Sequence, residues 1–149
     1  MIKAIIFDLD NTLLDFIKMK QFSVKAAITA MNEAGLAVNE EKAYQDIFDL
    51  YIEKGWENQQ VFDDYLNQTV GKVSNKILAA GIVSYRRARE ATLLVYPNVN
   101  KTLIELIKMG IKLAVVSDAP SREAWMRLYY LNLHHVFEPV LTYDDTGVR

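Results

Sequence analysis

Residues 4–13 read Ala4-Ile5-Ile6-Phe7-Asp8-Leu9-Asp10-Asn11-Thr12-Leu13. The apolar run Ala4-Ile5-Ile6-Phe7 does not alternate and stops abruptly at a carboxylate. Such a run, bounded by polar residues, predicts a strand buried on both faces, as in a parallel sheet. Asp8 and Asp10 then lie just past its carboxyl end. Open α/β sheets bind ligands at that end, where side chains leaving the strands converge. Two carboxylates so close repel each other, and a bound cation would relieve the cost. Oxygen donors with no His or Cys nearby favour Mg²⁺. An Asp-x-Asp alone is equally a polar turn. What lifts it above a turn is the order of buried strand, acid pair, Thr12 and Leu13.

Outward from this stretch, the chain turns helical. Val24, Ala27, Ile28, Met31 and Ala34 have helical spacing, and Gly35 suits a stop. Ala43, Ile47, Leu50 and Tyr51 repeat the pattern before Gly55. A shorter helix is expected over 59–69 and a longer one over about 73–94. Tyr96-Pro97-Asn98 breaks the helical region, with Asn98 as the expected N-cap. Val99, Leu103, Leu106 and Ile107 give an amphipathic helix ending at Gly110. A second apolar run, 111–116, ends in Ser117-Asp118. A helix over about 121–131 and a third strand over 136–142, weakened by Pro139, complete the pattern.

A β-helix-β-helix-β tail predicts a parallel sheet with crossover helices. The helical block is too long for a simple crossover. The expected fold is α/β: a Rossmann-like parallel-sheet core from 1–14 and 96–149, incomplete, with an inserted four-helix cap over 15–95.

Composition is that of an ordinary globular chain. Of 149 residues 51% are apolar and 24% charged, and the net charge is −2. Without a basic excess, nucleic acid is not an expected partner. No run approaches the ~18 apolar residues of a membrane span, and the start is too short for a signal peptide. No cysteine is present, which excludes disulfides, thiolate–zinc sites and thiol catalysis. A cytoplasmic protein is expected.

The string Asp8-Leu9-Asp10-Asn11-Thr12-Leu13 after an apolar strand resembles the first motif of the haloacid dehalogenase superfamily. Leu113-Ala114-Val115-Val116-Ser117-Asp118 resembles its second, a strand ending in Ser or Thr. Helices between the two look like the subfamily I pattern with a helical C1 cap. The resemblance covers essentially the whole chain. It implies a Mg²⁺-dependent phosphatase of small phosphorylated metabolites, acting through an aspartyl-phosphate. By that resemblance Asp8 is the nucleophile and Asp10 the general acid and base. Ser117, Asp118 and Thr12 bind phosphate, and the metal is held by Asp8 and Asp10. Asp10 favours phosphoryl over halide chemistry, since a leaving halide needs no proton. The alternatives are a phosphomutase, which would share both acids, or a non-catalytic phosphate-, metal- or protein-binding module.

The family also uses a motif-three Lys or Arg and a motif-four acidic pair. The chain stops at Asp144-Asp145-Thr146-Gly147-Val148-Arg149 before a match to either. Arg149 is a poor stand-in for the cation, and Asp144-Asp145 reads as a solvated turn. The resemblance therefore implies an impaired enzyme. It also implies an open edge on the first strand, inviting a dimer or a strand-complementing partner. Arg86, Arg87 and Arg89 read as a solvated helix face. Adjacent His134 and His135 do not share a face, so no metal role is expected. Gly71-Lys72 lacks the other P-loop positions. Trp56 and Trp125 read as packing residues.

Overall fold

The computed structural model describes residues 1–147. Its elements run β1 (Ala4–Phe7), α1 (Phe16–Glu33), α2 (Glu40–Lys54), α3 (Val61–Val70), α4 (Asn75–Thr92), α5 (Val99–Lys108), β2 (Lys112–Val116), α6 (Ser121–Tyr130), β3 (Val140–Leu141) and α7 (Tyr143–Thr146). The chain divides into two compact units, residues 1–18 with 93–149, and residues 19–92. None of the described helices is long and apolar enough to cross a membrane.

In the first unit the three strands form one parallel sheet in the order β1-β2-β3. Ala4 pairs with Lys112 and Phe7 with Val115, while Val115 and Val116 pair with Val140 and Leu141. The α/β class and parallel pairing are those expected from the apolar runs. Leu113, Val115, Leu103, Ala124 and Leu128 form buried ground around the sheet, with Leu9, Leu13 and Leu14 from the acidic loop.

Several local expectations are corrected. β1 is not buried on both faces: Ile6 is 67% exposed and Ala4 is open. An apolar run shows that a strand tolerates double burial, but among the described residues β1 lies at the sheet edge. β3 spans only Val140–Leu141 rather than 136–142. Pro139 has no N–H to give a ladder, although its carbonyl accepts from Val115 N–H at 3.0 Å. Asn98 precedes α5 in the left-handed conformation, φ 67°, and its side chain does not cap the helix. Its small polar side chain tolerates that turn, while its backbone carbonyl accepts from Thr102 N–H. Trp125 is 37% exposed, not a core residue. α1 begins earlier than its apolar stripe suggested, because Asp15 Oδ1 accepts from Lys18 N–H at 3.1 Å and supplies an N-cap.

The second unit packs around Val24, Ala27, Ile28, Met31, Ala43, Ile47, Leu50, Val61, Tyr65 and Leu66, all buried. Those on α1 and α2 are positions that helical periodicity marked; for α3 it marked only the range 59–69. Asn39 caps α2, its side chain accepting from Lys42 N–H. Trp56 packs as expected, against Phe48 and Tyr51.

Candidate active site

Asp8 directly follows β1 and Ser117 directly follows β2. The parallel register, with Phe7 opposite Val115, brings both to the carboxyl end of the sheet. Strand direction alone therefore gathers residues far apart in sequence.

The loop after β1 is tightly built. Leu13 N–H donates to the Leu9 carbonyl at 2.9 Å, and Asn11 N–H to the Leu14 carbonyl at 2.8 Å. Asn11 takes the left-handed conformation, φ 58°, which Asn accepts more readily than most residues. Its side-chain oxygen accepts from Ile17 N–H at 3.1 Å. Tyr96 N–H donates to the Leu13 carbonyl at 2.9 Å and ties the loop to the chain entering α5. Leu9, Leu13 and Leu14 point into the core, so the polar residues between them are left outward or half-buried.

Asp8 is exposed, and its carboxylate accepts from Leu9 N–H at 2.7 Å and from the Thr12 hydroxyl at 3.3 Å. Thr12 thus stands beside the proposed nucleophile. Ser117 is buried; its N–H donates to the Leu141 carbonyl, and its hydroxyl oxygen accepts from Ala119 N–H at 3.2 Å. Asp118 is exposed next to it.

Asp10 has a partner that the motif did not announce. Its Oδ2 lies 2.8 Å from an Arg127 guanidinium nitrogen, with side-chain exposures of 6% for Arg127 and 16% for Asp10. The guanidinium also sits over the Phe16 ring, 4.7 Å from its centroid. A signal existed: Arg127 falls with Ala124 and Leu128 on the buried stripe of α6. A charged residue on an apolar stripe needs a partner.

Asp144 and Asp145 do not form a bare solvated turn. Asp144 Oδ2 accepts from Ser121 N–H at 2.6 Å, at the start of α6. Asp145 closes a capping box with Thr142 on α7. The Thr142 hydroxyl first, then the Thr142 backbone N–H, hold the Asp145 carboxyl below the usual range. His134 stacks on Tyr129 at 4.1 Å. Arg149 lies outside the described residues.

Among the described residues no three of His, Cys, Asp or Glu cluster to hold a metal. What the acidic loop offers is one outward carboxylate, Asp8, and the backbone oxygens around Asp10. That set is all oxygen, as a hard cation requires. It is also small, as suits Mg²⁺, which keeps several waters. The residues present fit part of such a shell. Two clefts lie elsewhere, one between α2 and α3 beside Lys42, Asp46 and Glu53, another on α6 at Trp125 and Tyr129.

Comparison with known proteins agrees with this layout. A family model for haloacid dehalogenase-like hydrolases matches residues 2–149. The glyceraldehyde 3-phosphate phosphatase of Methanocaldococcus jannaschii is 35% identical over 148 residues, which cover 99% of this chain and 65% of that protein. The enzyme of the same name from Methanothermobacter thermautotrophicus is 33% identical over 147 residues, again 65% of its length. The chain thus spans just under two thirds of these relatives. Among solved structures, an inferred β-phosphoglucomutase from Thermotoga maritima superposes with TM-score 0.73 at 20% identity, covering 99% of this chain and 64% of that one. A family hydrolase from Deinococcus radiodurans, solved with phosphate and sodium, gives 0.61 at 17% identity, covering 99% of this chain and 61% of that one. At these identities the structures speak to the fold, while the family match rests on sequence along the full described chain: this protein belongs to the haloacid dehalogenase-like hydrolases.

Proposed function

We propose that this chain carries the nucleophile-bearing part of a phosphatase for small phosphorylated metabolites, with a triose phosphate as the first candidate. The observation that carries the reading is the pair of acids at the carboxyl end of β1, one outward and one paired with a buried arginine. The substrate class follows from the names of the relatives at 33–35% identity. In this reading residues 15–95 are the cap.

An Asp8 carboxylate oxygen attacks phosphorus while the bond from phosphorus to the ester oxygen breaks. Asp10 gives its proton to that departing oxygen, releasing an alcohol. Asp10 then takes a proton from water as the water oxygen attacks phosphorus, and the Asp8–phosphorus bond breaks. Inorganic phosphate leaves and both acids return to their starting states. Splitting one difficult displacement into two is the gain of covalent catalysis. Ser117 and the Asp118 N–H would donate to phosphate oxygens, and Thr12 would hold Asp8 from the side. Mg²⁺ would be held by the Asp8 carboxylate and the Asp10 backbone carbonyl, and when bound it neutralises charge on the phosphate.

Turnover is expected to be slow, because Asp8 has no cationic partner among the described residues. The test is phosphate release from glyceraldehyde 3-phosphate, and from a panel of sugar phosphates, with and without Mg²⁺. Slow, Mg²⁺-dependent release that disappears in Asp8→Asn supports the reading. Isomerised ester without release would identify a mutase. No release from any ester, with no protection of the chain by beryllofluoride and Mg²⁺, would leave only a non-catalytic module.

A further inference from the structure

We infer that Arg127 is the positioning residue of Asp10, holding one oxygen of its carboxyl group so that the other is turned to exchange a proton with the leaving alcohol and then with water; this rests on the phosphatase reading above.

The argument begins with where Arg127 stands. Ala124, Arg127 and Leu128 form the buried stripe of α6, and Arg127 is 5% exposed. Helical packing alone would be served there by an apolar residue of similar volume. A buried guanidinium loses its hydration, and attraction to a carboxylate often does no more than offset that loss. Replacing buried ion pairs by well-packed apolar groups is often neutral or stabilising. Fold stability is therefore a weak reason for an arginine at this position. Its partner supplies a better one. Arg127 reaches across 117 positions of sequence to the second acid of the motif, at 2.8 Å.

The geometry suits orientation. The guanidinium is planar and carries its donors in a fixed fork. It lies over the Phe16 ring at 4.7 Å, so the ring limits its motion on one face. Phe16 opens α1 directly after the acidic loop, so anchor and target belong to neighbouring segments. A carboxylate oxygen held by such a fork has a defined rotamer, and a carboxylate has further lone pairs for a second contact. A general acid works only within hydrogen-bond reach of the oxygen it protonates. Lysine, a point charge on a flexible stem, would place the carboxylate less well.

The test uses the full chain and two esters that differ in their need for a proton. The alcohol leaving β-glycerophosphate needs one, whereas p-nitrophenolate hardly does. Arg127→Met is expected to lower kcat/KM, which reports the step that phosphorylates Asp8, about 100-fold on β-glycerophosphate and less than about 10-fold on p-nitrophenyl phosphate; kcat also includes the later hydrolysis, in which Asp10 serves both esters alike as base. Asp10→Asn should show the same imbalance. The double variant should be no slower than Asp10→Asn alone, because Arg127 acts through Asp10. Arg127→Lys should recover part of the loss. Thermal unfolding of each variant separates misfolding from misplacement. If Arg127→Met does not fold, Arg127→Lys carries the comparison, with a smaller loss of the same imbalance. Equal losses of kcat/KM on both esters, or losses that multiply in the double variant, would overturn the role of Arg127 while leaving an active phosphatase. No turnover of either ester by the wild-type chain would overturn the phosphatase reading, and this role with it.

Discussion

Lys20 is 4% exposed inside the helical unit, an unusual place for an ammonium. It donates to the Trp56 carbonyl and lies 4.1 Å from the Tyr51 ring centroid and 5.3 Å from that of Tyr85. Aromatic faces attract a desolvated cation, so the rings replace part of its lost hydration. The same enclosure acts on the phenols. Burial pushes the Tyr51 hydroxyl up to about 12, against a smaller opposing effect of its hydrogen bond with Tyr85. Burial likewise pushes Tyr85 well above its ordinary value. Both groups thus fold best protonated. Their contribution is fully present below the unfolded value of about 10 and is lost as pH rises toward about 12. Stability should therefore be flat up to about pH 10 and then fall, Tyr51 alone accounting for roughly 2–3 kcal/mol by the top of that window. Chemical denaturation along a pH series reads the slope, and Tyr51→Phe should make it shallower. In a tyrosinate absorbance titration, Tyr51 and Tyr85 should ionise last, together with unfolding. Early ionisation of all eight tyrosines without unfolding would contradict the enclosure.

Between elements, α1 and α4 approach closely at Gly81. A methyl group added at Gly81 would lie 2.8 Å from Met31 Cγ and 2.9 Å from Met31 Sδ. Met31 is fully buried, so it has little room to move aside. Two effects oppose each other in Gly81→Ala. The helix gains about 1 kcal/mol of intrinsic propensity, while overpacking a filled core costs roughly 1–3 kcal/mol. Overpacking wins because the atoms met lie in the middle of the methionine, not at its tip. Net destabilisation by about 1 kcal/mol is expected, lowering the melting temperature by about 2–4 °C. Calorimetry on the variant checks it, and a raised melting temperature would show that Met31 repacks freely. The same contact explains why a glycine survives in the interior of α4.

At the scale of the molecule, β1 lies at the edge of the sheet among the described residues. Ile6 is 67% exposed on that strand, and Ile104 and Ile107 on α5 are 52% and 49% exposed. A free strand edge with apolar side chains templates pairing with another chain. Concentration-dependent self-association is therefore expected in sedimentation experiments, with Ile6→Lys reducing it severalfold. A chain that stays monomeric at high concentration, or an Ile6→Lys variant that associates equally well, would show that this edge is not the contact.

The strands, the acid pair and most helices were legible in the sequence because their causes are local. An apolar run ending in Asp8, a run ending in Ser117, and apolar residues at helical spacing each report on a few neighbouring residues. Parallel pairing followed from the helices between the strands. Asp8 and Ser117 could thus be placed at one sheet end from the sequence alone. The Asp10–Arg127 pair could not. An arginine on a helix reads equally as part of a solvated face, and its spacing with Ala124 and Leu128 is too short a stripe to say which side of α6 turns inward. Tertiary packing of α6 decided that, and so selected which charge meets the second acid of the motif. The exposure of Ile6 has the same origin. Side-chain chemistry determines what a strand can bury, but only tertiary structure decides whether a neighbour lies there to bury it against.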